Sequence, residues 1–254
     1  MSVVTTPAVL LRAFNYSETS QVLRFYTPDY GVVGVMAKGV RRSSGKGKVG
    51  LETFGLGRVT FYYKDNRDLQ TFKDFALERD HRGLASHVTR FAGASILAEL
   101  VLEHAGSDAN PEVFDRVVAG FSSLVATEEG ELMAAVLAEA WGIVCALGYT
   151  PQLEPCVHCD RPLGETDVGR FDFGAGGVRC PDCADEIDGP MVGPGARLQL
   201  QALFTGRVPG ALQRPRAQLR LLSDFVTYHV SHGRPLHSFT FLSGLDGPFA
   251  GEEA

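Results

Sequence analysis

Four cysteines are arranged as two Cys-x2-Cys pairs, Cys156 and Cys159 in CVHC and Cys180 and Cys183 in CPDC, with twenty residues between the pairs. Two thiolates three residues apart on a tight turn can face one cation, and two such turns complete a tetrahedron. The spacing predicts one bound Zn2+, and because cysteine fills all four positions no place is left for an activated water, so the site is expected to be structural. The rival is a redox dithiol, which ordinarily uses a single Cys-x2-Cys at a helix start after a strand. His158 lies between the first pair and is expected to point away, and Cys145 sits in an apolar stretch as a small core residue.

A second grouping is cationic. KGVRRSSGKGK holds Lys38, Arg41, Arg42, Lys46 and Lys48 within eleven residues and no acid. Interleaved Gly and Ser let a backbone approach phosphates and donate N–H groups. Arg12, Arg24, Lys64 and Arg67 fall on or between neighbouring strand-like runs and extend the patch. Phe14, Tyr16, Phe25, Tyr26, Tyr30, Phe61, Tyr62 and Tyr63 interleave with them. A positive groove with aromatic faces is what single-stranded nucleic acid needs. The competing reading is a solvated loop over a barrel whose aromatics are core, and strand alternation must send at least one ring of Phe61-Tyr62-Tyr63 inward. GKGK lacks the glycine spacing of a phosphate-binding P-loop.

No Ser/His/Asp or Cys/His pattern is recognisable, and the loop acids Asp167, Asp172, Asp182, Asp185, Glu186 and Asp188 have no partnering His motif. His229, His232 and His237 cluster without companion carboxylates and are expected at the surface. The chain is not expected to be an enzyme.

The elements that must position these groups divide into two kinds. AVLLRAFN, SQVLRFYT, GVVGVMAK, LGRVTFYY and LQTFKDFAL are short runs rich in Val, Phe, Tyr and Leu, separated by turn chemistry. Five strands with the longest connection between the third and fourth fit a barrel of OB type, with an SH3-like barrel as the rival. From Gly83 the apolar period lengthens to that of helices. VTRFAGASILAELVLEHA opens this part, then Asn110-Pro111 supplies an N-cap and first-turn proline for PEVFDRVVAGFSSLVA. GELMAAVLAEAWGIVCALG closes on Gly148, and GARLQLQALFTG and RPRAQLRLLSDFVTYHVSHG return to complete a bundle. The expected fold is α+β and multidomain: an OB-type barrel over residues 1–80, then a helical domain over 81–254. The latter contains a zinc-ribbon-like module at 151–192, where FDFGAGGVRC forms a hairpin-like stretch.

Composition agrees. Of 254 residues 44% are hydrophobic and 21% charged, the profile of a soluble globular chain, and no run approaches the roughly 18 apolar residues of a membrane span. MSVVTTPAVLLRAFNY lacks the basic start of a signal peptide. Five cysteines, four of them paired as above, suit a reducing compartment. The net charge of −6 is uneven: residues 1–82 hold 13 Lys and Arg against 8 acids, residues 83–206 hold 6 against 18. Because screening acts over about 8 Å at physiological salt, the local excess near the N-terminus decides which partner is attracted there, and it favours a polyanion.

Three stretches together resemble the RecO family of DNA repair and recombination mediators: NYSETSQVLRFYTPDYGVVGVMAKGVRR, LGYTPQLEPCVHC with GGVRCPDC, and YHVSHGRPLHSFTFL with its Arg-x-Leu-x-Ser ending. Their order and spacing span nearly the whole chain. The resemblance implies a non-enzymatic, cytoplasmic and nucleoid-associated protein without a membrane partner. It implies binding of single- and double-stranded DNA, annealing of complementary strands, and loading of RecA onto strands coated by single-stranded-DNA-binding protein, together with RecR. Lys38, Arg41, Arg42, Lys46 and Lys48 are then the first candidates for DNA contact, extended by Arg12, Lys64 and Arg67. The family's second basic surface is thin here, reduced to Arg207, Arg214, Arg216 and Arg220. The alternative is a zinc-ribbon protein–protein adaptor that does not touch DNA.

Overall fold

A computed structural model of the chain describes residues 2–40, 51–104, 108–208 and 210–245. It separates into two compact units, residues 1–126 and 127–254.

The first unit is built on five strands: β1 (Ser2–Asn15), β2 (Gln21–Thr27), β3 (Gly31–Ala37), β4 (Leu56–Tyr63) and β5 (Leu69–Arg79). They close in the order β1-β2-β3-β5-β4, with β3 and β5 parallel and the other neighbours antiparallel. This is the OB arrangement, and the SH3-like rival falls away. Alternation sends Ala8, Leu10, Leu23, Phe25, Val33, Val35, Val59, Phe61 and Phe75 into one buried cluster. β1 starts six residues before the apolar run that betrays it. Its first half pairs with β4 and its second half with β2, and a bulge between Leu10 and Arg12 bends it between the two.

Helices α1 (Val88–His104) and α2 (Pro111–Ala126) pack in this same unit, so the compact units part after Ala126 where the sequence pattern changes at residue 80. The reason is on the barrel wall: Tyr26 points outward from β2, and its ring meets Phe114 of α2 at 6.1 Å while its hydroxyl donates to the Asn110 carbonyl at 3.3 Å. Asn110 caps α2 as expected, its Oδ1 accepting from the Val113 N–H at 3.1 Å.

The second unit is centred on α3 (Leu132–Ala146), twelve of whose fifteen residues are buried. Gly148, at φ 95°, ends it in the left-handed conformation that glycine adopts without strain, and the Gly148 and Tyr149 N–H groups close back on Cys145 and Val144 carbonyls. Helices α4 (Pro194–Phe204) and α5 (Pro215–His229) pack on α3, and α6 (His237–Ser243), unforeseen in the sequence, packs on α5. The cysteine module contributes the hairpin β6 (Gly169–Asp172) and β7 (Gly177–Arg179), flanked by β8 (Met191–Val192) on the far side of β6. Phe171 of β6 is fully buried and reaches Phe225 at 6.0 Å, which in turn lies 5.3 Å from the buried Trp141 of α3. Module and helices therefore share one aromatic core. His229, expected at the surface, stacks on Phe225 at 4.4 Å as part of it. Among the described residues no helix is long and apolar enough to cross a membrane.

Candidate metal centre and nucleic-acid face

The thiols of Cys156, Cys159, Cys180 and Cys183 all lie within 4.8 Å of one another. The hairpin achieves this. Val178 of β7 donates to the Gln152 carbonyl and accepts from the Val157 N–H, which carries the second cysteine pair back beside the first. Four sulfurs about 2.3 Å from one centre stand about 3.8 Å apart, and Cys159 and Cys180 are separated by 3.8 Å. The donor set and spacing fit one metal ion.

The surroundings are prepared for anionic sulfur. Cys156 is fully buried, which raises its thiol, but backbone N–H groups of Cys180, His158 and Cys159 outweigh burial and bring it down to about 6. The Cys183 thiol is pushed up to about 12 by its hydrogen bond to Cys180 and by burial. So many sulfurs cannot ionise together without a cation, and a cation at the centre favours the thiolates. His158 is exposed and contributes its backbone N–H to Cys156, and Cys145 is half-buried on α3, outside the cluster. Two groups that spacing could not reveal brace the module. Arg161 bridges Asp167 at 3.1 Å and Asp182 at 3.6 Å, and the buried Arg197 of α4 donates to the Asp167 and Gly164 carbonyls.

Arg179 and Asp172 pair across the hairpin at 2.8 Å, both side chains largely buried. Burial raises the Asp172 carboxyl, but the Ala175 N–H and the Arg179 guanidinium more than offset it and hold it below the ordinary range. A depressed native value stabilises the fold above the unfolded pKa of about 3.9 and ceases to do so as pH falls through the native value. Replacing Asp172 by Asn is therefore expected to lower the unfolding midpoint at pH 7 and to flatten its fall below pH 4. Thermal melts across that range would show an undiminished acid slope if the pair were inert.

On the barrel, Arg41, Arg42, Lys46 and Lys48 lie outside the described residues. Lys38 follows β3 and is exposed. Lys64 and Arg67 are exposed in the β4–β5 turn, which the buried Gln70 secures by accepting from the Lys64 N–H and donating to the Lys64 and Arg67 carbonyls. Arg12 is exposed on the outer face of β1, directly opposite Arg24 on β2. Arg12, Arg24 and Lys38 have no ion pair or side-chain hydrogen bond among the described residues. Directly opposed like charges are destabilising.

The aromatics are sorted by strand alternation. Phe25 and Phe61 are core, Tyr26 is covered by α2, and the half-buried Tyr30 and Tyr63 pack on Phe61. Phe14 and Tyr16 remain exposed, by 47% and 69%, and Tyr62 is half-buried with Lys73 above its ring. In the second unit Arg220 pairs with Asp224, and Arg216 lines a shallow groove with Leu219, Ser223 and Ser243.

Family models match both parts of the chain: Recombination protein O N terminal over residues 1–79 and Recombination protein O C terminal over residues 85–238. The chain is 30% identical to the DNA repair protein RecO of Anaeromyxobacter dehalogenans strain 2CP-C across 99% of its length and all of that protein. It is 30% identical to the RecO of Rubrobacter xylanophilus over 80% of its length and 81% of that chain. With the RecO of Desulfatibacillum aliphaticivorans it shares 27% identity over 96% and 98%. With an OB-like barrel, the helices that follow it and both family models in register, the chain belongs to the RecO family of DNA repair proteins.

Proposed function

We propose that this protein binds single- and double-stranded DNA, anneals complementary strands and, together with RecR, helps load RecA onto strands coated by single-stranded-DNA-binding protein. It acts by binding alone, in the cytoplasm at the nucleoid. Residues 1–80 form the DNA-binding domain, with Arg12, Lys38, Arg41, Arg42, Lys46, Lys48, Lys64 and Arg67 as its contacts. The cysteine cluster holds one structural Zn2+ in the helical domain.

The observation that carries this reading is the barrel's outer wall. Arg12, Arg24 and Lys38 stand there without acidic partners among the described residues, beside exposed Phe14 and Tyr16. Annealing two polyanions requires lowering their repulsion, and such a surface screens phosphates without reading base edges. In a fluorescence assay of complementary oligonucleotides the protein is expected to accelerate duplex formation at low salt, with the acceleration fading as salt rises. An adaptor that does not touch DNA would leave the spontaneous rate unchanged at every salt concentration.

A further inference from the structure

The four thiols of the cysteine cluster are not equivalent. Cys156 and Cys180 are fully buried, Cys183 is half-buried and Cys159 is exposed. The difference follows from how the first Cys-x2-Cys turn closes. The Cys156 N–H donates to the Arg161 carbonyl at 2.9 Å and the Asp160 N–H to the Cys156 carbonyl at 3.0 Å, with Asp160 in the left-handed region at φ 58°. That turn sets Cys156 at its base and Cys159 near its tip, inside a run from His158 to Pro162 that is exposed throughout.

The surroundings of the sulfurs differ in the same sense. Cys156 is sealed from solvent, and its sulfur accepts from the Cys180 N–H at 3.2 Å and the His158 N–H at 3.5 Å. Cys159 sits at the surface, with its sulfur 3.8 Å from that of Cys180 on the other turn. A disulfide needs about 2.05 Å, so a closing movement of about 1.8 Å joins the two. The Arg161 guanidinium lies against the Cys180 sulfur with its side chain 43% exposed. Thiols in electropositive, partly exposed surroundings are the reactive ones, whereas buried structural thiols are inert. Four thiolates on one dication also leave negative charge in excess, which keeps an accessible sulfur nucleophilic.

We propose that Cys159 is a site of oxidation by hydrogen peroxide, which joins Cys159 to Cys180 as a disulfide and so releases the metal from the cluster. The inference rests on the structural-zinc reading above and adds to it a modification site. The Cys159 thiolate attacks one peroxide oxygen; the O–O bond breaks, hydroxide leaves and a sulfenic acid forms. The Cys180 thiolate then attacks the Cys159 sulfur; the S–O bond breaks, a second hydroxide leaves and the S–S bond forms. Protons from solvent turn both hydroxides into water, so peroxide takes up the two electrons that the thiolates lose. Cys156 and Cys183 alone cannot complete a tetrahedron. The loss reaches the helices, because Phe171 of the same hairpin packs on Phe225, which packs on Trp141. Peroxide thereby loosens the second unit, and a dithiol with fresh zinc restores it.

The test treats the full, zinc-loaded chain with hydrogen peroxide. A chromogenic chelator reads released zinc, the emission of Trp141 is followed in parallel, and peptide mass spectrometry locates the disulfide. The expected result is one zinc ion released per chain, a Cys159–Cys180 disulfide and a red-shifted emission, all reversed by dithiothreitol and added zinc. Cys159→His keeps a four-ligand set of three cysteines and one histidine but removes the exposed thiol, and is expected to release zinc at least about tenfold more slowly. Cys183→His, an equivalent change at the half-buried position, is expected to lose zinc at the unsubstituted rate through the same disulfide. Should either histidine variant fail to hold zinc before treatment, the disulfide located in the unsubstituted chain decides alone. Zinc retained under peroxide, a disulfide that lacks Cys159, or equal release from Cys159→His and the unsubstituted chain would overturn the site. A chain that carries no zinc before oxidation would instead overturn the structural-metal reading on which it rests.

Discussion

Replacing Lys38, Arg41 and Arg42 together by glutamate is expected to remove most affinity for single-stranded DNA while leaving the thermal unfolding midpoint where it was. The size of the effect follows from counterion release. Each phosphate contact on a single strand contributes about 0.7 to the salt slope, and three reversals delete three contacts and add three repulsions, a loss on the order of a hundredfold or more at low salt. The fold should not notice. Lys38 is exposed and has no ion pair among the described residues, and Arg41 and Arg42 stand in a run with Ser43, Ser44 and Gly45 and no apolar residue that a core would need. Substitution of an exposed, unpaired side chain such as Lys38 changes stability by about 0.5 kcal/mol or less. The two readouts together are decisive. Normal binding at moderate salt would remove this segment from the DNA site, and a lowered midpoint would mean the charges serve the barrel's own structure.

The contrast between what could and could not be read from sequence has a physical pattern. Local signals were reliable: the Asn110-Pro111 helix start, the Gly148 stop and the two cysteine pairs each involve residues within a turn of one another. Properties set by pairing between distant strands were not. The start of β1 was hidden because Thr5, Thr6 and Pro7 carry no apolar alternation, and only β4, more than fifty residues later, makes them a strand. Barrel closure by the parallel β3–β5 contact is equally non-local. The grouping of α1 and α2 with the barrel rests on contacts such as Tyr26 with Phe114, whereas the change of sequence pattern near residue 80 marks only where strands give way to helices.

The candidate sites divide in the same way. Spacing alone identified the four thiols, because the geometry of a Cys-x2-Cys turn is local. It could not show the N–H groups trained on Cys156, the Arg161 bridge or the Phe171 anchor, each of which joins parts of the chain far apart in sequence. On the barrel, residue type gave a list of aromatics but not which way they face. Alternation and the cover provided by α2 withdraw Phe25, Tyr26 and Phe61, and leave Phe14 and Tyr16. The opposition of Arg12 to Arg24 depends on register, which a single strand does not specify.

Stripping the metal from the cysteine cluster is expected to loosen the second unit and spare the barrel. A structural Zn2+ on four thiolates supplies about 10–16 kcal/mol in small zinc modules, as much as the whole stability of an ordinary domain. Here the module is not a detachable appendage, because Phe171 carries its strain or its order directly to Phe225 and Trp141. Loss of the metal must therefore be felt in the helices. The chain has one tryptophan, Trp141, fully buried in that core, so its emission reports on this unit alone. Chelation under reducing conditions, or Cys156→Ser or Cys180→Ser at the two buried cysteines, is expected to shift that emission to the red and lower the unit's unfolding midpoint by more than about 10 °C. Salt-dependent binding of single-stranded DNA should persist, since Arg12, Arg24, Lys38 and Phe14 belong to the first unit. An unmoved emission and midpoint would mean that the thiols hold no structural metal. Loss of DNA binding in step with the metal would make the module part of the binding surface, and the four cysteines would then serve recognition as well as folding.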